Sequence, residues 1–412
     1  MATLIVAIRE DNAYVGIGKQ SQGGTAIAPS YFPRWLDGSN IQLDIKAEDV
    51  WEGDGSRRLS LIIKNRQEVK GKLVVAPRPN ELGFLEAAAQ GAGSDAFTAP
   101  AASTTLAAAA TAGQNSISLT ADTGLTTSGS ATVIIDPGLA TEEIVTITTP
   151  PSGAGPYTAT LANGATLQQA HASGATVETA ATHVMTDQSD GNFYSFEVSL
   201  GGTAGIILRA RDCKIEQIKR SAKAGGLLTY EVDWQGVATI AQPSASTVTL
   251  EPHPPFLYTQ GVWTLDGSTT GDALAIESFD ITQKNNLDTT IQTEQLTLAT
   301  LIFGNVTLDV GLNLVMQSGD RIAETYFGGA SGTTDAQALA TGSVQLVFTQ
   351  ANAFFVVTYD VPALTYTKTE PPAPKKDGKA FRLAVAASST SDMGANAFLL
   401  QTTVANSVSS AY

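Results

Sequence analysis

Three histidines, one cysteine and a run of carboxylates are the side chains with most chemistry to offer in this sequence. His171, His183 and His253 stand far apart, and none has a second His or Cys at ligand spacing. A zinc site needs three or four converging donors, so each reads as an isolated surface or loop histidine. Cys213 has Arg211 and Lys214 beside it, which would favour a thiolate if they packed close. No base accompanies it at a spacing a nucleophile needs, so it reads as structural. Asp44, Glu48, Asp49, Glu52 and Asp54 form an acidic cluster. Their order does not fit the twelve-residue calcium loop, and an exposed acidic turn is the simpler reading. The chain has no G-x-S-x-G elbow, no H-E-x-x-H and no G-x-x-x-x-G-K phosphate loop. Gly16 and Gly18 do not complete a dinucleotide fingerprint. Asn305-Val306-Thr307 matches a glycosylation sequon, but inside a predicted strand. The expectation is a chain with no catalytic residue, no cofactor and no metal; a glycosidase-type carboxylate pair hidden among its 39 acidic residues is the residual enzymatic reading.

The elements that would carry these groups are mostly strands. A Gly-rich arm (Val15-Gly16-Ile17-Gly18, Gly23-Gly24) opens the chain. Ile41, Leu43 and Ile45 then alternate with Gln42, Asp44 and Lys46, and strands return through Leu59, Leu61 and Ile63 and through Leu73 and Val75. One short helix follows, with Asn80 at its cap and Leu82, Leu85, Ala88 and Ala89 on its apolar face, stopped by Gly91. Residues 96–113, rich in Ala, Thr, Ser and Pro, read as a linker. Beyond them, Ile117 and Leu119, Val133 to Ile135, Ile144 to Ile147, Tyr157 to Leu161 and Ala175 to Val177 predict a small β-domain inserted in a surface loop. Strand patterns resume with Phe193 to Val198 and with a hairpin turning at Gly225-Gly226. They continue with Val306 to Leu314, Val344 to Phe348 and Phe355 to Tyr359. Each has one apolar and one polar face, the pattern of antiparallel sheets packed on one side. The predicted fold is mainly β, an antiparallel β-sandwich or barrel with one short helix and an inserted small all-β domain. The corresponding segments are 1–95, 96–182 (linker and insert) and 183–412.

Composition agrees. Of 412 residues only 15% are charged, and 38 are glycine, which suits short strands and tight turns. The net charge is −15 and no basic run exceeds the pair Lys375-Lys376, so the sequence shows no basic stripe for grasping phosphates. It reads either as plain solubility or as a repulsive wall along which DNA slides. A single cysteine rules out an intrachain disulfide. The segment from Met1 to Asp11 does not read as a signal peptide, and no apolar run is long enough for a membrane helix.

The order of elements resembles that of tail tube proteins of long-tailed phages. The likeness rests on residues 16–26 (Gly-Ile-Gly-Lys-Gln-Ser-Gln-Gly-Gly-Thr-Ala) with Tyr31-Phe32-Pro33, and on the hairpin from Cys213-Lys214-Ile215-Glu216 to Val232-Asp233-Trp234-Gln235-Gly236. It continues in Ala275 to Ile281 with Asn285-Asn286-Leu287, and in Gly304 to Leu314 with Phe327-Gly328-Gly329. The insert, through Tyr157 to Leu161 and Ala170 to Ala175, is similar to small β-domains that decorate virion proteins. The resemblance implies a structural, non-enzymatic virion protein: homohexameric rings whose sheets join into an inner barrel, stacked into the channel for genome ejection. Its partners would be further copies of itself, the tape measure protein and other tail proteins, and, transiently and without sequence preference, double-stranded DNA. It implies no membrane; the chain would reside in the virion tail and, during assembly, the host cytoplasm. The stacking loop would be 47–67, with Trp51 as a buried anchor and Asp54, Arg57 and Arg58 setting register by charge. The alternative for that loop is an ordinary hairpin tip whose Trp51 packs on its own subunit. The alternative for the whole chain is a β-sandwich receptor- or carbohydrate-binding surface protein.

Overall fold

The structure, a computed structural model, describes residues 13–51, 61–91, 95–122, 124–125, 130–148, 155–187, 190–200, 206–242, 244–292, 296–317, 319–328, 332–334, 339–370, 380–390 and 398–412. Alternating sequences become strands paired antiparallel throughout. The chain runs β1 (Tyr14–Lys19), β2 (Asn40–Val50), β3 (Leu61–Val75), helix α1 (Pro79–Gln90) and β4 (Ala96–Thr98). The insert follows as β5 (Ser103–Thr105), β6 (Ser116–Leu119), β7 (Ser130–Ile135), β8 (Glu143–Thr148), β9 (Tyr157–Leu161) and β10 (Thr176–Glu178). Then come β11 (Ala181–Thr186), β12 (Tyr194–Leu200), β13 (Ile206–Lys223), β14 (Thr229–Gly236), β15 (Ala238–Ala241), β16 (Gly261–Leu265) and β17 (Ile276–Lys284). The last elements are β18 (Thr307–Val315), α2 (Asp320–Phe327), β19 (Thr341–Thr349), β20 (Val356–Glu370), β21 (Arg382–Ser389) and β22 (Gln401–Asn406).

The host strands form one ladder, β2-β3-β14-β13-β17-β18-β21-β20-β22-β11-β4, with β16 and β19 added beside β20 and β1, β12 and β15 beside β13. The ladder doubles back on itself. Trp263 of β16 lies edge-on to Phe279 of β17 with centroids 4.9 Å apart, and Phe279 reaches Phe348 of β19 at 6.1 Å. Two layers therefore share a core that includes Leu312, Leu346, Val357 and Val385, as a sandwich requires. The outer face of the first layer is polar across its whole width. Lys70 pairs with Asp44 (3.0 Å), Lys72 with Glu231 (2.6 Å) and Lys284 with Asp309 (3.4 Å). The carboxylates named on this face are each matched by a lysine, so these charges balance in pairs.

Several local expectations change for identifiable reasons. The predicted Gly-rich arm is a paired strand: Tyr14–Lys19 run against β12, Tyr14 opposite Ser199 and Lys19 opposite Tyr194. Its glycines are needed because residues 27–31 fold across it. A Cβ on Gly16 would stand 2.7 Å from the Pro29 ring, and one on Gly18 2.7 Å from the Ala28 carbonyl. Helix α1 begins two residues earlier than expected. Pro79, whose fixed φ suits the first helical residue, moves the cap to Arg78, whose N–H is received by Glu81 Oε2 at 3.3 Å. Asn80 donates instead to the Glu251 carboxylate. There is a second helix, α2, short and with no fully buried residue, whose brief apolar stripe of Ile322 and Tyr326 sets Ile322 against the core. The sequon residues Asn305 and Val306 precede β18.

The stretch read as a linker, 96–113, is structured. Phe97 in β4 pairs opposite His183 of β11, and Ala102, Leu106 and Ala110 are buried in the insert's own core with Ile117, Val133, Ile147 and Leu161. The insert is a six-stranded sheet, β5-β10-β7-β8-β9-β6, and it closes. Ala107 N–H donates to Ser118 O (2.8 Å) and Thr120 N–H to Thr105 O (2.9 Å), joining its first and last strands into a small barrel.

Helix α1 is held by a buried polar network that its spacing in sequence conceals. Glu86, fully buried, accepts from Arg220 Nε (2.8 Å) and Tyr230 OH (2.5 Å). Gln283 and Asn285 both donate to Ala89 O. Such a network fixes the angle of the helix against β13 and β17 more sharply than apolar contact alone. Cys213 is buried, and burial pushes its thiol well above its ordinary range, in keeping with a structural role.

Candidate subunit interface

The segment 47–67 is no irregular loop where it is described; it extends a hairpin. β2 and β3 pair from Asn40 opposite Lys72 to Val50 opposite Leu61, with a bulge between Lys46 and Ala47. The β14 strand covers β3 only from Val69 to Val75. Past Val69 the hairpin is a ribbon of two strands, braced at its base where Arg66 Nη1 donates to Thr289 O (3.1 Å) and Gln67 N–H to Leu296 O (2.6 Å). A two-stranded ribbon is marginal in water unless something covers it.

Along the ribbon, uncovered apolar side chains stand among charged ones such as Lys46, Glu48, Asp49 and Lys64. Ile45 is 63% exposed and Ile62 61%, with Leu43, Leu61 and Ile63 exposed beside them. Alternation in β2 thus predicts the face correctly but not the cover, for Ile41 is half-buried while Leu43 and Ile45 project beyond the core. Trp51 stands at the end of β2 and is 65% exposed, so within one chain it has little packing. Asp54, Arg57 and Arg58 lie outside the described residues. The acidic cluster is likewise only partly described: Asp44, Glu48 and Asp49 lie on β2, where the Lys70 ammonium holds the Asp44 carboxyl below its ordinary value. Next to the ribbon, Leu43 and Ile45 with Val237 and Ala238 line a groove of about 200 Å³.

A second apolar surface, unforeseen from sequence, lies along β16. Among the described residues this strand pairs with β19 alone, which leaves its other edge without a strand partner. Its Val262 is 60% exposed, Leu274 in the adjoining short helical turn 76%, and Leu227 and Leu257 are exposed nearby. An open edge with apolar side chains is a template for pairing with another chain. Charged residues that natural edges use as guards are absent from Gly261–Leu265, and that absence was readable in the sequence.

The histidines sit elsewhere and are not surface residues. His171 and His183 are buried, and His253 nearly so, each against a carboxylate: Asp136 at 2.9 Å from His171, Asp95 at 3.0 Å from His183, and Glu142 beside His253. Burial of an imidazole calls for such partners, and all of them lie at least 28 residues away in sequence except Glu251, which reaches His253 at 3.5 Å. Among the described residues no group of three or more His, Cys, Asp or Glu could hold a metal ion, and no helix is long and apolar enough to cross a membrane. Compared with known proteins, the chain matches no protein-family model and no curated sequence.

Proposed function

We propose that this chain is a self-assembling structural subunit of the tail tube type, joining head-to-tail into rings that stack around a channel for DNA. The observation that carries the reading is the two-stranded ribbon, on which Ile45, Leu61, Ile62 and Ile63 stand exposed among the described residues. The β16 edge, without a strand partner among the described residues, supports it as a second, different surface. Two unlike sticky surfaces on one chain favour heterologous contacts, which close into rings or run on as filaments. In this reading Trp51 and the ribbon enter a neighbouring copy, and the face of β2-β3-β14-β13-β17-β18 that carries the paired charges presents itself to the channel. Paired charges there leave few free cations to grip phosphate, which suits passage of DNA over binding. The chain performs no catalysis; its partners are its own copies, the tape measure protein and DNA in transit.

The test is negative-stain microscopy of purified protein over a concentration series. Rings or tubes with an open channel support the reading. Compact particles at every concentration contradict it and favour the receptor- or carbohydrate-binding alternative, to be followed by glycan screening.

A further inference from the structure

The turn between β7 and β8 carries Asp136 and Glu142, Glu143 opens β8, and a histidine faces these carboxylates from each side. Inside the barrel, the buried His171 sets Nδ1 2.9 Å from Asp136 Oδ2 and Nε2 3.2 Å from Glu143 Oε2. A neutral imidazole carries one N–H, so both contacts are hydrogen bonds only when both ring nitrogens are protonated. The two carboxylates are anchored as acceptors by other donors: Thr141 Oγ1 to Asp136 (3.0 Å), and the Gln168 and Gln169 N–H groups to Glu143 (2.8 and 3.0 Å). From the host, His253 places Nε2 against Glu142 and 3.5 Å from Glu251, with its ring 4.4 Å from that of Phe355. Beside this polar contact, Ile134 of the barrel is buried in the host core and Ile144 packs against it.

We infer that this turn is a proton-operated latch, holding the inserted barrel on the host while His253 is protonated and releasing it when it is not. His171, whose partners all lie within the barrel, sets the geometry of the turn. With the His253 imidazole neutral, Glu142 and Glu251 face each other across the junction without a cation between them. The buried carboxyls facing the latch act in the same direction. Burial raises the Glu251 carboxyl, and burial with Glu251 nearby raises that of Glu81, so both resist ionising where they lie. Arg78 donates to the carbonyls of Glu251 and His253, and Arg34 to that of Glu251. Arg78 also attracts the Glu251 and Glu81 carboxylates, but neither arginine makes an ion pair with Glu142, which His253 alone joins to Glu251 among the described residues. Asn80 donates to Glu251, and Tyr31 and Tyr412 lie close by as neutral phenols. Once released, the barrel stays tethered by the crossings 99–102 and 179–180, which join it to β4 and β11. The latch stands whether or not copies of the chain assemble.

Hydrogen exchange read by mass spectrometry tests it, with rates corrected for the intrinsic pH dependence of amide exchange. Between pH 6 and pH 8.5, peptides spanning 130–148 and 250–258 should lose at least tenfold in protection, while the β13–β14 hairpin keeps its own. His253→Gln should show low protection at both pH values. Glu142→Gln, which removes the repulsion without removing the contact, should keep protection at pH 8.5 and serves if the first variant folds poorly. Junction protection that is equal at both pH values in the wild-type chain overturns the latch. So does a loss shared by the control hairpin, or one that persists unchanged in Glu142→Gln.

Discussion

Replacing Ile45 and Ile62 together by Asp should separate folding from assembly. Fully burying an isoleucine side chain is worth roughly 1.5–3 kcal/mol. In the single chain these two are 63% and 61% exposed, so most of that gain is still to be collected at an interface. On the order of 1–2 kcal/mol per side chain gives roughly 2–4 kcal/mol per contact, before adding the cost of desolvating a carboxylate. Since about 1.4 kcal/mol is a factor of ten, association should weaken by roughly 30- to 1,000-fold. The fold should hardly notice, because neither side chain contributes to the core. The assay is sedimentation velocity over a concentration series, paired with a thermal melt. The double variant should remain monomeric where the wild-type chain associates and should melt within a few degrees of it. Leu346→Ala, in the fully buried core, is the contrasting control and should cost about 2–5 kcal/mol of stability. Unchanged association of the double variant, or a melt as damaged as that of the control, would refute the reasoning.

Other perturbations probe the frame that holds the interface. Glu86→Gln leaves the buried Arg220 guanidinium without its counter-charge and should cost about 3–5 kcal/mol in chemical denaturation, whereas Tyr230→Phe, which removes one neutral donor, should cost about 1–2 kcal/mol. Gly83→Ala puts a Cβ 2.1 Å from the Tyr412 ring, so the ring must leave its place between Phe84 and His183; amides of β22 should exchange faster and stability fall by about 1–3 kcal/mol. Burial raises the Glu81 carboxyl from its ordinary 4.5 to about 7, so the folded chain holds a proton that the unfolded chain has lost. Stability should therefore fall as pH rises between those values, by roughly 3 kcal/mol at most, and Glu81→Gln should flatten that part of the pH profile. Cys213, buried and with its thiol pushed up, should react with iodoacetamide only as fast as the chain unfolds.

Much of the strand framework was legible because period-two alternation reports which way a side chain points. Leu228, Tyr230, Val232 and Trp234 are all buried, as are Leu308, Val310, Leu312 and Leu314. The same signal misled at Leu43 and Ile45, since alternation specifies a face and says nothing of whether another layer covers it. That gap is the candidate interface itself. The buried charges were hidden for a different reason. Glu86 and Arg220 lie 134 residues apart, and an isolated Glu on a helix reads as solvent-facing until its partner is placed. Closure of the barrel through Ala102, Leu106 and Ala110 was masked by composition, because small residues read as linker yet fit a tight barrel interior. Helix α2 is only eight residues long, so its Ile322–Tyr326 stripe is too brief to separate a helix from a loop by periodicity.

The central claim is that the chain builds a hollow assembly from copies of itself, and electron microscopy of the purified protein tests it most directly. Rings or stacked tubes with an open central channel, growing with concentration and lost in the Ile45→Asp, Ile62→Asp variant, are what the account predicts. Compact, channel-free particles at every concentration, identical for wild type and variant, would contradict it.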